Sequence, residues 1–462
     1  MGAGTRSSGD PMGQKSLSRH ELPRKLGWLD ATMIVVGIVI GSGIFLLPNL
    51  IARSLQSRGA ILAVWIISGL LSYFGALAYA ELGAMLPATG GQYVYLREAY
   101  GPACAFVCGW TFMLAVLSGG IAFLAVSFSI YVAQFVHLTM VSSKLLAVAL
   151  ITTLSAVNYV GVREGAVVQV TFTFLKIAGL VVLIGSAFLS PLSVPAVQSV
   201  VPSGFSLPHF GTAMIACLMA YNGWTYISFV AGEVKQPAKN LPRSLTLGMV
   251  VVMVLYVLAN AAYLKVMPIS QIAVTARVGA ALAERTMGST GALLVSLTVL
   301  ISIIGAINGC ILTSARIPFA QAQDGLFFRR FGRVHPRFET PGFAIVIQGL
   351  WTAVLVISGS YENLFSYSMI AAWIFYTLSV AAVFFLRRKL PDLPRPYQMW
   401  GYPYTLVVFM LVSVWFVANA FVTETGPSLM ALGIIASGIP MYFFWRKPTP
   451  RQETPLQVEV DP

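Results

Sequence analysis

The sequence predicts an all-α polytopic membrane protein of twelve transmembrane helices, arranged as two inverted five-helix units followed by two further helices. Three observations predict it. Hydrophobic residues make up 57% of the 462-residue chain and charged residues only 10%, against about 25% charged in a soluble domain. Apolar runs near the roughly 20 residues that cross a bilayer follow one another along the chain. The first and sixth runs each carry glycine at mid-span, where the backbone is least helical. Mean hydropathy is +0.80, and such a composition gives no reason to seek an enzyme core or a nucleic-acid module.

The runs cover about 29–52, 60–86, 101–136, 144–161, 166–189, 209–233, 243–267, 289–321, 341–359, 364–387, 402–423 and 427–446. The third and eighth are long, which predicts tilt. They divide the chain into a tail (1–28), a first unit (29–190, spans 1–5), a second unit (209–388, spans 6–10), spans 11 and 12 (402–446) and a second tail (447–462). Both tails are polar and expected to be disordered. No small-residue cleavage site follows the first run, so no cleaved signal peptide is expected. With the N-terminus inside, 22 of the 29 Lys and Arg residues fall on the cytoplasmic side, six outside, and Lys176 within a span. This bias places both termini in the cytoplasm of a cell-membrane protein. It also accounts for the net charge of +13 without a nucleic-acid partner. The four cysteines lie in or beside apolar runs, which argues against a disulfide framework.

Span 1 contains Gly41-Ser42-Gly43, and a break in the helix is expected there. A break frees backbone N–H and C=O groups at membrane depth, which is tolerated only where they face protein or a water-filled cavity. A glycine packing face is the alternative. Span 6 carries the counterpart, Asn222-Gly223. Five spans per unit is odd, so the second unit enters from the opposite side of the membrane. Paired glycine-interrupted spans in two inverted halves point to a transporter's binding site.

Several motifs stand on these spans: G-x-x-I-G-S-G-I-F at 37–45, A-Y-A-E-L-G at 78–83, G-G-Q-Y-x-Y at 90–95, A-Y-N-G-W at 220–224, E-V-K-Q-P-x-K-N-L-P-R at 233–243 and N-G-x-x-x-T-S-A-R at 308–316. In this order the chain resembles the amino acid–polyamine–organocation superfamily, from about residue 28 to 446. Within it the likeness is to L-type amino acid transporters and their bacterial relatives. The resemblance implies a LeuT-type fold, a 5+5 inverted repeat with broken helices 1 and 6. Around the break at Gly41, free N–H groups at Ser42, Gly43 and Ile44 favour a substrate carboxylate. Carbonyls at Val39 and Ile40, and at Met219, Ala220 and Asn222 before Gly223, are expected to accept from a substrate ammonium. The family has an aromatic outer gate just before A-Y-x-G-W; here it is the flexible, apolar Met219. Further walls are expected from Val116, Gly119 and Gly120 on span 3 and from Trp373 on span 10, whereas Tyr221 and Trp224 read as structural, since aromatic residues in spans more often pack or anchor at an interface than bind a ligand.

Lys176 lies mid-way along span 5, where a lysine costs roughly 2.5–3.5 kcal/mol on insertion scales. It is too central to snorkel to an interface. The resemblance implies that it stands where sodium-coupled relatives bind their cation. Thr313 or Ser314 on span 8 and carbonyls near Gly37 are its candidate partners. A fixed ammonium would replace sodium, while an amine that releases its proton would couple to protons; both stay open. Tyr256, Asn260 and Asn308 are intramembrane polar groups suited either to helix–helix hydrogen bonding or to lining the pathway. The resemblance favours a Tyr256 hydroxyl near the substrate amine or Lys176. Glu81 and Glu233 read as cytoplasmic gate or loop anchors paired with arginines.

The span interiors expected to line the site contain no Asp or Glu, so a cationic side chain would be buried without a partner. No second cation is there to neutralise an acidic one. Neutral L-amino acids are the expected substrates, and Gly119-Gly120 leaves room for sizeable side chains. The resemblance implies sodium-independent obligatory exchange. The alternatives are a proton-coupled symporter, a cationic amino acid or polyamine antiporter, a channel, or, in another class, a transporter-like amino-acid sensor, which the short tails disfavour. Eukaryotic members pair with a heavy subunit through a cysteine between spans 3 and 4. Here that loop (137–143) has none, so a stand-alone, prokaryotic protein is expected. Free amino acids and the lipid bilayer are the expected partners, with no cofactor and no metal.

Overall fold

The computed structural model of the chain describes residues 22–133, 135–194, 207–359 and 361–446. The expectations for residues 1–21 and 447–462 fall outside the described residues. Among the described residues the regular elements are all helical, with one isolated parallel bridge between Leu26 and Val234.

Span 1 is three helices in series: α1 (Trp28–Val39), α2 (Gly43–Leu46) and α3 (Pro48–Ser54). Span 2 is α4 (Arg58–Met85), followed by the loop helix α5 (Gln92–Tyr100). Span 3 runs through α6 (Pro102–Thr111), a π-helical turn (Phe112–Leu117) and α7 (Ser118–Val132). Spans 4 and 5 are α8 (Met140–Val160) and α9 (Val162–Leu189). Span 6 pairs α10 (Leu207–Ala220) with a 3₁₀ segment (Trp224–Glu233), and span 7 is α11 (Pro237–Val266). After the short α12 (Ile269–Val274), span 8 is α13 (Val278–Ser314), continued by α14 (Arg316–Gln323) and a 3₁₀ turn (Arg329–Gly332). The remaining helices are α15 (Gly342–Ser358), α16 (Tyr361–Lys389), α17 (Tyr404–Thr423) and α18 (Thr425–Trp445).

Eleven of these segments are long and apolar enough to cross a membrane. The ninth run, α15, has 17 residues, about 26 Å at 1.5 Å per residue, slightly short of a ~30 Å hydrocarbon core. The eighth run is long because it continues past the end of α13 into α14, and α13 itself begins ahead of the run and kinks at Gly288, whose φ of 70° is a left-handed conformation that glycine adopts without a Cβ clash. The helices α5 and α12 were not expected from the apolar runs, because they are too short to register as spans.

α1 sits at the centre. Residues 31–40 are all buried, as expected for a helix that is apolar on every side. It packs on α9, α11 and α13. Gly37 makes the approach to α9 possible: a Cβ there would lie 2.1 Å from Gln169 Nε2 and 2.2 Å from Thr173 Oγ1. α8 and α18 lie at the periphery and expose large apolar side chains such as Leu145, Val160, Leu429 and Phe443.

Candidate substrate-binding site

Both predicted breaks are present. In span 1 the helix ends at Val39, residues 40–42 form a bend, and α2 starts at Gly43. Gly41 N–H turns back to Val39 O (2.8 Å), while the N–H groups of Ser42, Gly43 and Ile44 donate to no acceptor among the described residues. A Cβ on Gly41 would meet nothing within 4 Å, so open space adjoins the break. In span 6, α10 ends at Ala220 and Gly223 adopts φ 121°, ψ −12°, a conformation reserved for glycine. A Cβ on Gly223 would fall 2.7 Å from Ile38 Cγ2, and one on Gly43 would fall 3.3 Å from Ala220 Cα. The two breaks therefore lie side by side.

Tyr256 ties them together. Its hydroxyl is 2.8 Å from Val39 O and 3.3 Å from Ala220 O. Its proton is engaged by backbone carbonyls and it forms no bond to Lys176, whereas its oxygen lone pairs stay able to accept from a substrate amine. Two expectations are corrected here. Val39 O accepts from both Gly41 N–H and Tyr256, and Ile40 O accepts from Lys176 and from Ser302 Oγ (2.8 Å each). Each carbonyl has two lone pairs, so neither is free for an ammonium. Met219, Ala220 and Asn222 retain acceptor capacity: Met219 O accepts one N–H, from Asn222, Ala220 O holds only the longer Tyr256 contact, and Asn222 O has no donor among the described residues.

Lys176 is fully buried, and its Nζ donates to Gly37 O (2.8 Å), Ile40 O (2.8 Å) and Ser302 O (2.9 Å). Three ammonium hydrogens thus meet three carbonyls, two from the broken span 1 and one from α13. Gly305 clears the way, since a Cβ there would lie 3.1 Å from Nζ. Ser302 also donates to Ile40 O and, at 3.1 Å, to Gly41 O. The expected span 8 partners do not reach Lys176. Ser314 donates to Cys310 O and accepts from Gln348, and Thr313 bonds Gly309 O within its own helix. Ser314 lies twelve residues beyond Ser302, about 18 Å along the axis. The missed signal is the small face Ser302, Gly305, Gly309 at helical spacing: a Cβ on Gly309 would lie 2.5 Å from Ile38. Asn308 joins helices through Asn158, Gly165 O and Gln169, and Asn260 bonds Tyr256 O.

Of the predicted walls, Gly120 borders open space, with nothing within 4 Å of a Cβ, and Met219 is half-buried beside the second break. Val116 is buried in the π-helical turn, whose loosened carbonyls are taken by Ser118 (to Met113 O), Trp351 (to Leu114 O) and Ser368 (to Ala115 O). Trp373 is corrected: its ring stacks on Phe416 (4.7 Å between centroids) and Phe409 (5.9 Å), so it faces α17. Span 10 instead offers Tyr376, whose hydroxyl donates to Asn222 Oδ1 (3.1 Å), and Met369, whose sulfur lies 3.6 Å from Asn222 Nδ2. Asn222 is half-buried, so its amide borders the space between the breaks.

That space is closed on one side. Gly41, Gly43, Leu46, Leu47, Met219 and Asn222 are half-buried, whereas residues 31–40 and 223–231 are buried throughout. Below the closed side stand two bidentate ion pairs. Arg316 grips Glu233 at 2.7 and 2.9 Å, and Arg387 grips Glu81 at 2.8 and 2.7 Å, with Met399 N–H adding a third bond to Glu81. In the loop helices, Arg97 and the Tyr93 hydroxyl both bond Asp324. Burial works against the Arg97 charge, but Asp324 and Glu98 outweigh it and hold its pKa above the usual range.

The amino acid permease family profile matches residues 26–440. The serine/threonine exchanger SteT of Bacillus subtilis (strain 168) is 31% identical over 431 residues, 92% of this chain and 98% of that one. The b(0,+)-type amino acid transporter 1 of Mus musculus is 31% identical, covering 93% of this chain and 89% of its own. The large neutral amino acids transporter small subunit 2 of Mus musculus is 30% identical, covering 92% and 82%. These relatives are transporters, not enzymes. A multi-pass helical chain with paired broken helices, matched along nine-tenths of its length, belongs to the amino acid permease family of the amino acid–polyamine–organocation superfamily.

Proposed function

We propose that the protein exchanges neutral L-amino acids across the cell membrane by alternating access, without sodium. Twelve spans form an inverted 5+5 repeat plus two helices, both termini are cytoplasmic, and the protein works without a disulfide-linked partner. The N–H groups of Ser42, Gly43 and Ile44 take the substrate carboxylate. The carbonyls of Met219, Ala220 and Asn222 take its ammonium. Side-chain selection falls to Met219, Gly120 and the Asn222–Tyr376 pair.

The observation that carries the reading is the Lys176 ammonium seated on Gly37 O, Ile40 O and Ser302 O. A protein-borne cation with three oxygen partners fills the place a dissolved sodium ion would need. Neutral substrates follow from the buried carboxylates: Glu81 and Glu233, the two among the described residues, are each taken by an arginine, leaving nothing to pair a cationic side chain. The half-buried outer halves and buried inner halves of spans 1 and 6 support an outward-facing arrangement. The names of the relatives, a serine/threonine exchanger and a large neutral amino acid transporter subunit, support the substrate class. Lys176 is paired only with neutral groups, which is the observation favouring a proton-coupled symporter as the second reading.

The test is uptake of labelled serine and leucine into proteoliposomes, preloaded with amino acid or empty, with and without sodium and a pH gradient. Exchange predicts uptake only into preloaded vesicles, insensitive to sodium. Uptake into empty vesicles driven by a proton gradient would establish symport instead, and arginine or putrescine outcompeting leucine and serine would overturn the substrate class.

A further inference from the structure

The last span ends in a feature that substrate exchange does not use. The outward face of α18 is apolar, with Leu429, Ile439, Phe443 and Phe444 all more than half exposed. At its end Trp445 packs on Phe328 (4.9 Å between centroids) and Phe327 (5.4 Å), side chains that precede the 3₁₀ turn Arg329–Gly332. Arg446 follows Trp445 in the chain and Arg329 and Arg330 follow Phe328, so the ring contact sets these three exposed arginines on the same end of the helix bundle. None of these three guanidinium groups has a carboxylate within ion-pairing distance among the described residues. The acids of the same loop are engaged elsewhere, Asp324 by Arg97 and Glu339 by Lys25. Phe328 itself is 54% exposed, too apolar for bulk water and well suited to a headgroup boundary.

We propose that this face binds an anionic phospholipid, its headgroup on Arg329, Arg330 and Arg446 and its acyl chains along α18. The argument is charge complementarity joined to an apolar track: a strip long enough for acyl chains runs directly into unpaired positive charge at the end of a span. Basic pockets beside membrane helices hold anionic headgroups in this way. With the cytoplasmic termini proposed above, this face lies at the inner leaflet; the site itself does not depend on amino acid exchange.

The experiment reads Trp445 fluorescence in the full-length protein reconstituted in phosphatidylcholine. Brominated acyl chains are introduced either on phosphatidylglycerol or on phosphatidylcholine, and the Trp445 signal is taken as the difference from Trp445→Phe. Stronger quenching by the brominated phosphatidylglycerol is expected, with the preference falling about fivefold for each arginine removed in the series Arg446→Gln, Arg330→Gln, Arg329→Gln. Equal quenching by the two lipids, a preference unchanged in the triple variant, or loss of the preference on adding inorganic phosphate would overturn the proposal. The single variants carry the test should the triple variant fail to elute as a monodisperse species. Because the readout is quenching, a protein that does not exchange amino acids still reports on the lipid.

Discussion

Removing the Lys176 ammonium is the sharpest test of the site. Its three hydrogen bonds to Gly37 O, Ile40 O and Ser302 O are bonds to a charged group, each contributing about 1.5–3 kcal/mol. Against them stands the cost of burying an ammonium, several kcal/mol per ion. The two largely cancel in global stability, so Lys176→Met is expected to fold. Transport responds differently, because the ammonium holds the broken part of span 1 to α9 and α13. If the two access states differ by only one of the three bonds, its loss alters the exchange rate by roughly ten- to a hundredfold. Exchange of labelled serine in preloaded proteoliposomes, with the reconstituted amount normalised, measures it. Lys176→Ala and Lys176→Met should both fall by that factor in sodium-free medium. Sodium should recover part of the activity of Lys176→Ala, whose vacated cage presents oxygen ligands, and none of Lys176→Met, whose side chain fills it. Wild-type exchange by both variants without sodium would refute the reasoning.

Ser302→Ala, which strips hydrogen bonds from Ile40 O and Gly41 O, is expected to slow exchange several-fold, whereas Ser314→Ala, remote from Lys176, should leave the rate within twofold in the same assay. Arg316→Met leaves the Glu233 carboxylate buried and unpaired, a loss of about 3–5 kcal/mol, and should lower the thermal midpoint in detergent; the double variant with Glu233→Gln should regain most of it, and equal midpoints for single and double variants would contradict a coupled pair. Gly120→Val adds side-chain volume where no atom lies within 4 Å of a Cβ, so the fold should persist while leucine exchange drops more than serine exchange; equal losses would remove Gly120 from the substrate pocket.

The parts of the site that were legible in the sequence are those decided locally. Glycine at mid-span weakens a helix wherever it stands, so Gly41-Ser42-Gly43 and Asn222-Gly223 marked both breaks before any packing was known. The centre of an apolar run offers lysine no route to water, so Lys176 had to be buried against oxygen atoms. Charged residues near span ends demand partners, and Glu81 and Glu233 have them. What only the tertiary structure decided is which atom meets which. Rotation and axial level of one helix against another set hydrogen bonds to within about an ångström, and along one helix face the same polar residue type recurs every few residues. Hence Ser302 rather than Ser314 adjoins Lys176, Tyr256 spends its proton on Val39 O and Ala220 O, and Trp373 turns toward α17 while Tyr376 takes the Asn222 amide. Glycine and lysine report on their own segment, but a carbonyl's availability depends on every helix packed around it.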